Sequence, residues 1–144
     1  MKLVSQYYME KVISLGADKL KLKDMPYDPR HEGIRIEPEL FFWRLYHGNK
    51  YIECRSETEA EYCKLMMEAR QDKVAIPKDE EYLKEILPEL KRLKAKHDEA
   101  IEDKLYTIFS KKIREKILSL FWQRIFDDKY FDWEAFMALE DVGE

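Results

Sequence analysis

Glycine is scarce in this chain: four residues in 144, at positions 16, 33, 48 and 143. A loop that cradles phosphate needs several glycines close together, so none is hidden here. Cysteine occurs only as Cys54 and Cys63, and histidine three times. His47, Cys54 and Cys63 are separated by six and eight residues, which is not the close-paired spacing of structural zinc sites. No metal and no cofactor are expected. The cysteines read either as small apolar core residues or as a disulfide of a heat-adapted protein.

Amides are equally rare, with Asn49 and three glutamines against 39% charged residues. Interleaved charge in place of heat-labile amides points to a thermophilic source. No apolar run nears the roughly 20 residues of a membrane span. The opening "MKLVSQYYMEKVISLGADK" is too broken by charge to act as a signal peptide. A cytoplasmic protein without a membrane partner is the expectation. Catalytic signatures are missing too. His31, His47 and His97 fall in a loop, a turn and a charged helix, none beside a recognisable nucleophile. The acidic runs Asp79–Glu81 and Asp127–Asp128 resemble helix-end chemistry. The sequence therefore predicts a non-enzymatic protein.

The apolar residues that are present carry clear periodicity. Residues 2–15 place Leu3, Val4, Tyr7, Tyr8, Val12 and Leu15 on one helical face, with Gly16 as a left-handed cap. A long loop with room for one short strand follows. Leu40–Tyr46 and Tyr51–Arg55 flank the turn residues His47-Gly48-Asn49-Lys50 and predict a β-hairpin. Its first strand is apolar on both faces, so cover on both sides is expected. Ser56 and Glu59 form a capping box for a helix to about Gln71, and Val74–Ile76 reads as a further strand closed by Pro77.

From Asp79 onward, helical spacing persists to about residue 126. Unbroken, that helix would span roughly 70 Å at about 1.5 Å per residue, more than the width of a domain this size. Pro88 is expected to kink or restart it, and Thr107–Ser110 to break it. It then either folds back as a hairpin or projects and pairs with a second chain. The fold expected is α+β in a single domain over 1–144. It comprises an N-terminal helix, a small sheet built on the hairpin with a covering helix (1–78), a long helical part (79–126) and an acidic tail with a short helix (127–144).

Charge is the most informative pattern. Residues 104–124 hold Lys104, Lys111, Lys112, Arg114, Lys116 and Arg124 against Glu115 alone, whereas 127–144 hold seven acids against Lys129. The cations alternate with Tyr106, Phe109 and Trp122, a combination suited to phosphates and exposed bases. These six cations are the candidate DNA or RNA contacts. Ile108, Ile113, Ile117, Leu120 and Phe121 supply the competing reading, an ordinary core face whose solvated reverse is basic. The acidic tail offers a mask for the same cations. A protein-interaction or self-association module is the other functional class. There a homodimer forms through the long C-terminal helices, or the tail docks on a partner through Trp133, Phe136 and Met137.

The run "YIECRSETEAEYCKLMMEAR" resembles a stretch near the end of N6-adenine DNA methyltransferases of restriction–modification systems, where a strand leads into a serine-capped helix beside the target-recognition region. "VAIPKDEEYLKEILPELKRLKAKHDEA" is similar to the proline-marked strand and long helix that follow there. The likeness covers residues 51 to about 100. The chain has no Asn/Asp-Pro-Pro-Tyr/Phe motif and no glycine-rich S-adenosylmethionine loop. What the resemblance implies is a freestanding relative of the recognition or tail portion, with no methyl-transfer residue.

Overall fold

The computed structural model describes residues 2–31, 33–108 and 110–127. The acidic tail, with Trp133, Phe136 and Met137, lies outside the described residues. The architecture is α+β. Helix α1 (Val4–Lys11) leads through two single 3-10 turns into strand β1 (Leu20–Asp24). Then come β2 (Ile34–Pro38), β3 (Trp43–His47), β4 (Lys50–Cys54), helix α2 (Glu57–Glu68), β5 (Lys73–Pro77), α3 (Glu80–Leu105) and α4 (Lys111–Asp127). Gly16 has a positive φ of 91°, but its ψ of 155° makes it an extended linker and not the left-handed cap expected of it.

The single sheet expected is in fact two. β2, β3 and β4 form an antiparallel meander, and β1 pairs antiparallel with β5. The reason lies at the far edge of β5. The Ala75 N–H donates to the Tyr8 hydroxyl at 3.0 Å, the Tyr62 hydroxyl donates to the Ala75 carbonyl at 2.7 Å, and Arg55 donates to the Pro77 carbonyl at 2.7 Å. Side chains satisfy the groups that a neighbouring strand would have taken. Burial raises both tyrosine pKa values, so the hydroxyls stay neutral.

The hairpin differs from expectation on one face. Leu45 and Cys54 are buried under α2, as period-2 alternation requires. The other face is open, and Leu40 and Phe41 are 85% and 87% exposed at a turn closed by the Glu39 N–H on the Phe42 carbonyl. They precede β3 instead of opening it. His47 is the last residue of β3, not part of the turn, and Gly48 takes the first turn position with φ +62°. At the start of α2 the Ser56 hydroxyl accepts the Glu59 N–H at 3.1 Å. The Glu59 carboxylate, however, reaches past Ser56 to accept the Arg55 N–H, and it is buried with Lys23 at 3.5 Å and Arg55 at 3.8 Å. A Schellman motif ends α2: Arg70 donates to the Met67 carbonyl and Gln71 to that of Met66. Arg70 holds the left-handed position at φ 60° that glycine usually fills.

Asp79 caps α3 by accepting the N–H groups of Glu81 and Tyr82. The helix runs on through Pro88, contrary to the expected restart. Pro88 faces solvent, where water can satisfy the carbonyl that loses its donor. The break does come after Leu105, and the chain folds back. Arg114 meets Glu102 at 2.6 Å, and Trp122 stacks on His97 with ring centroids 5.9 Å apart. Phe126 then packs edge-on against Tyr8 at 5.9 Å. Trp122, Phe121 and Ile125 thus join the core built by α1, α2, α3 and β5.

His97 is fully buried and accepts the Val4 N–H through Nε2 at 3.2 Å. Burial, reinforced by the neighbouring Lys94 ammonium, pushes its pKa down to about 4. The unfolded chain binds this proton near pH 6.5. Its neutral form therefore contributes stability that is complete above pH 6.5 and is lost progressively as the pH falls from 6.5 to about 4. Urea unfolding at pH 7 and pH 4.5 should show that fall. In His97→Leu the difference should shrink by up to roughly 3 kcal/mol, while overall stability drops because Val4 loses its acceptor. An undiminished pH dependence in the variant would rule out His97 as its source.

Candidate nucleic-acid interface

The fold-back of α4 divides the six basic candidates. Lys111, Lys112, Lys116 and Arg124 are exposed on α4, whereas Lys104 sits half-buried in the last turn of α3, so the expected single basic helix is split between two. Arg114 is a structural residue. Its guanidinium donates to the Leu105 and Ile108 carbonyls, both at 3.2 Å, and to Glu102. It caps the C-terminal end of α3, where carbonyls lack intrahelical donors. That removes it from the phosphate contacts expected of it. Trp122 is likewise unavailable for stacking on bases, being 1% exposed. Phe109 lies outside the described residues, and Tyr106 is exposed. Ile113 and Leu120, expected in the core, are 53% and 58% exposed. The buried stripe of α4 runs instead through Phe121, Trp122 and Ile125.

Beside the first turns of α4 lies an open cleft of about 830 Å³. Lys111 and Lys112 form one wall, Tyr27, His31 and His47 the other, and Arg70 lies between. Each side chain is placed by local chemistry. The Tyr27 hydroxyl bridges the Met67 and Gln71 carbonyls at 3.0 and 2.9 Å, tying its loop to the end of α2. The Asp28 N–H donates to His47 Nδ1 at 2.7 Å, so neutral His47 carries its proton on Nε2. The Asp28 carboxylate, 1% exposed, accepts from Arg30 and stands 3.6 Å from His31 Nε2. The Arg30 N–H is the main cause that holds this carboxyl below its usual range. Arg70 makes a two-pronged pair with Glu115, both contacts at 2.8 Å, so its charge is spent joining α2 to α4.

Two further basic residues, Arg35 and Arg44, lie on the open face of the three-stranded sheet, over the rings of Tyr46 and Tyr51 at 4.3 and 4.6 Å. Sequence reasoning passed over this group because it was assigned to a covered strand. The alternation Arg44, Tyr46 opposite Tyr51 was the available signal. Cys54 and Cys63 are buried free thiols, and the hydrogen bond to Cys54 together with burial pushes the Cys63 pKa up, so that sulfur stays a neutral core group. Among the described residues no three His, Cys, Asp or Glu side chains converge as metal ligands, and no helix is long and apolar enough to cross a membrane. No family model, curated protein or solved structure matches this chain.

Two substitutions separate scaffold from surface. Arg114→Ala should destabilise the fold by about 1–3 kcal/mol, whereas Lys112→Ala should stay within about 0.5 kcal/mol of the parent; chemical denaturation measures both. At Gly48 a Cβ would lie 2.3 Å from His31 and 2.7 Å from the Asp28 carboxylate. Gly48→Ala should therefore displace His31 from the cleft wall and destabilise the turn, seen as shifted His31 and His47 imidazole resonances and a lower melting temperature.

Proposed function

We propose that the protein binds nucleic acid without catalysing a reaction on it, holding phosphates along the solvent side of α4. The observation that carries this reading is the direction of α4. Burying Phe121, Trp122 and Ile125 turns Lys112 and Lys116, one helical turn apart, and Arg124 toward solvent. Lys111 flanks the adjoining cleft. The global charge of −4 is no obstacle. Residues 1–127 hold 25 basic against 24 acidic side chains, and the acidic excess belongs to 128–144. The succession of β4, serine-capped α2, β5 and α3 supports the likeness to the recognition or tail portion of N6-adenine DNA methyltransferases. Cytoplasmic location and a thermophilic source belong to the same reading.

A second reading rests on a different observation. Ile113 and Leu120 stand exposed seven residues apart on the face that also bears Lys116. Such a stripe suits helix-to-helix docking, as in a homodimer or a partner complex in which the acidic tail takes part through Trp133, Phe136 and Met137.

Mobility-shift titration with oligonucleotides at several salt concentrations tests the first reading. Lys112→Glu with Lys116→Glu should weaken binding about tenfold or more at low salt. The slope of log affinity against log salt should fall by roughly 1.5. A parent protein that forms no complex at low salt rules this reading out. Light scattering that returns a monomer mass across micromolar concentrations rules out the homodimer.

A further inference from the structure

The open face of the three-stranded sheet carries a second, different surface. Alternation along the strands sends Arg35 and Glu37 of β2, Arg44 and Tyr46 of β3, and Tyr51 and Glu53 of β4 away from α2. Register then aligns them in rows. Arg35, Tyr46 and Tyr51 lie directly opposite one another across the three strands, with Glu37, Arg44 and Glu53 in the next row. The flat groups in this patch crowd together, the Tyr46 and Tyr51 rings tilted by 47° to each other. The Arg35 guanidinium lies 4.3 Å above the Tyr46 ring, the Tyr46 and Tyr51 rings are 5.4 Å apart, and Arg44 lies 4.6 Å from the Tyr51 ring and 5.4 Å from that of Phe42. Three cation–ring contacts within 17 residues far exceed the usual frequency of about one per 70–80 residues. Their concentration on one face calls for a reason. Tyr51 is 47% exposed, and the Leu40–Phe41 turn stands at the rim of the patch.

We propose that this face is a stacking platform for the bases of single-stranded nucleic acid. The proposal rests on the nucleic-acid reading above and assigns the sheet a role that α4 lacks. Stacking needs unpaired bases with open faces, which a duplex withholds, so the partner is single-stranded. The charges of the patch favour bases over phosphates. Glu37 pairs with Arg35 at 2.9 Å and Glu39 stands 3.8 Å from Arg44, leaving no net positive field. Carboxylates that repel phosphate can instead accept hydrogen bonds from exocyclic amines. The sheet contribution should therefore depend little on salt, and the α4 contribution strongly.

The test compares a short single strand containing adenine, cytosine and thymine with a duplex of equal length on the full chain. Tyr46→Ala with Tyr51→Ala should weaken single-strand binding by about tenfold or more, since each stacked base contributes about five-fold or more. Duplex affinity and the salt slope should not change, and Tyr51→Phe should bind like the parent. If the double variant unfolds, Tyr51→Ala carries the test alone. Ultraviolet crosslinking of a thiothymidine oligonucleotide to parent protein then reports which peptides it touches, those of β3 and β4 being expected. Sheet variants that bind the single strand normally, or that lose duplex binding equally, overturn the platform and leave the α4 reading standing. So does a change of molecular mass in the variants, which would mean that a second copy covers this face. A parent protein that binds neither probe overturns both.

Discussion

The architecture depends on how the edge of β5 is closed. β5 is buried along most of its length, and a buried edge with unpaired N–H and C=O groups costs about as much as the hydrogen bonds it forgoes. Tyr8 from α1 and Tyr62 from α2 meet at Ala75 and satisfy both of its main-chain groups, while Arg55 takes the Pro77 carbonyl. With those positions filled, the hairpin cannot extend the sheet and becomes a separate meander on α2. Two helices are thereby clamped to one strand. The cleft and the open sheet face follow from this division.

The helical half obeys a second constraint. α3 is amphipathic over 26 residues, and its apolar stripe must be covered. α4 covers it by turning back, with Trp122 on His97 and Arg114 closing the carbonyls between the helices. The packing selects which side chains stay exposed. It consumes Trp122 and Arg114, and it leaves Lys112, Lys116, Ile113 and Leu120 outside. The solvent side of α4 is thus both basic and apolar.

Much of the fold was legible locally. Ser56 and Asp79 mark helix starts through hydrogen bonds made within three residues, and such signals do not need the rest of the molecule. The candidate site was less legible. Arg114, Lys112 and Lys116 are equivalent as letters in a basic run; only the partner helix decides that the first caps carbonyls. His47 looked like part of a turn, yet a backbone N–H nineteen residues earlier fixes its tautomer. The same holds for Glu59. Its place three residues after Ser56 predicts the helix start, but its second contact goes to Arg55, because Lys23 and Arg55 gather around it when the core closes.

The sequence by itself determined the α+β class, the helix starts at Ser56 and Asp79, the hairpin and the strong separation of basic and acidic segments, because each arises from neighbours along the chain. Tertiary structure decided that the long helix doubles back, that the strands divide into two sheets and that one face of the hairpin stays open. Those outcomes depend on contacts between residues tens of positions apart. A tyrosine hydroxyl competing with a strand for the same main-chain groups is a contest that no local pattern can record.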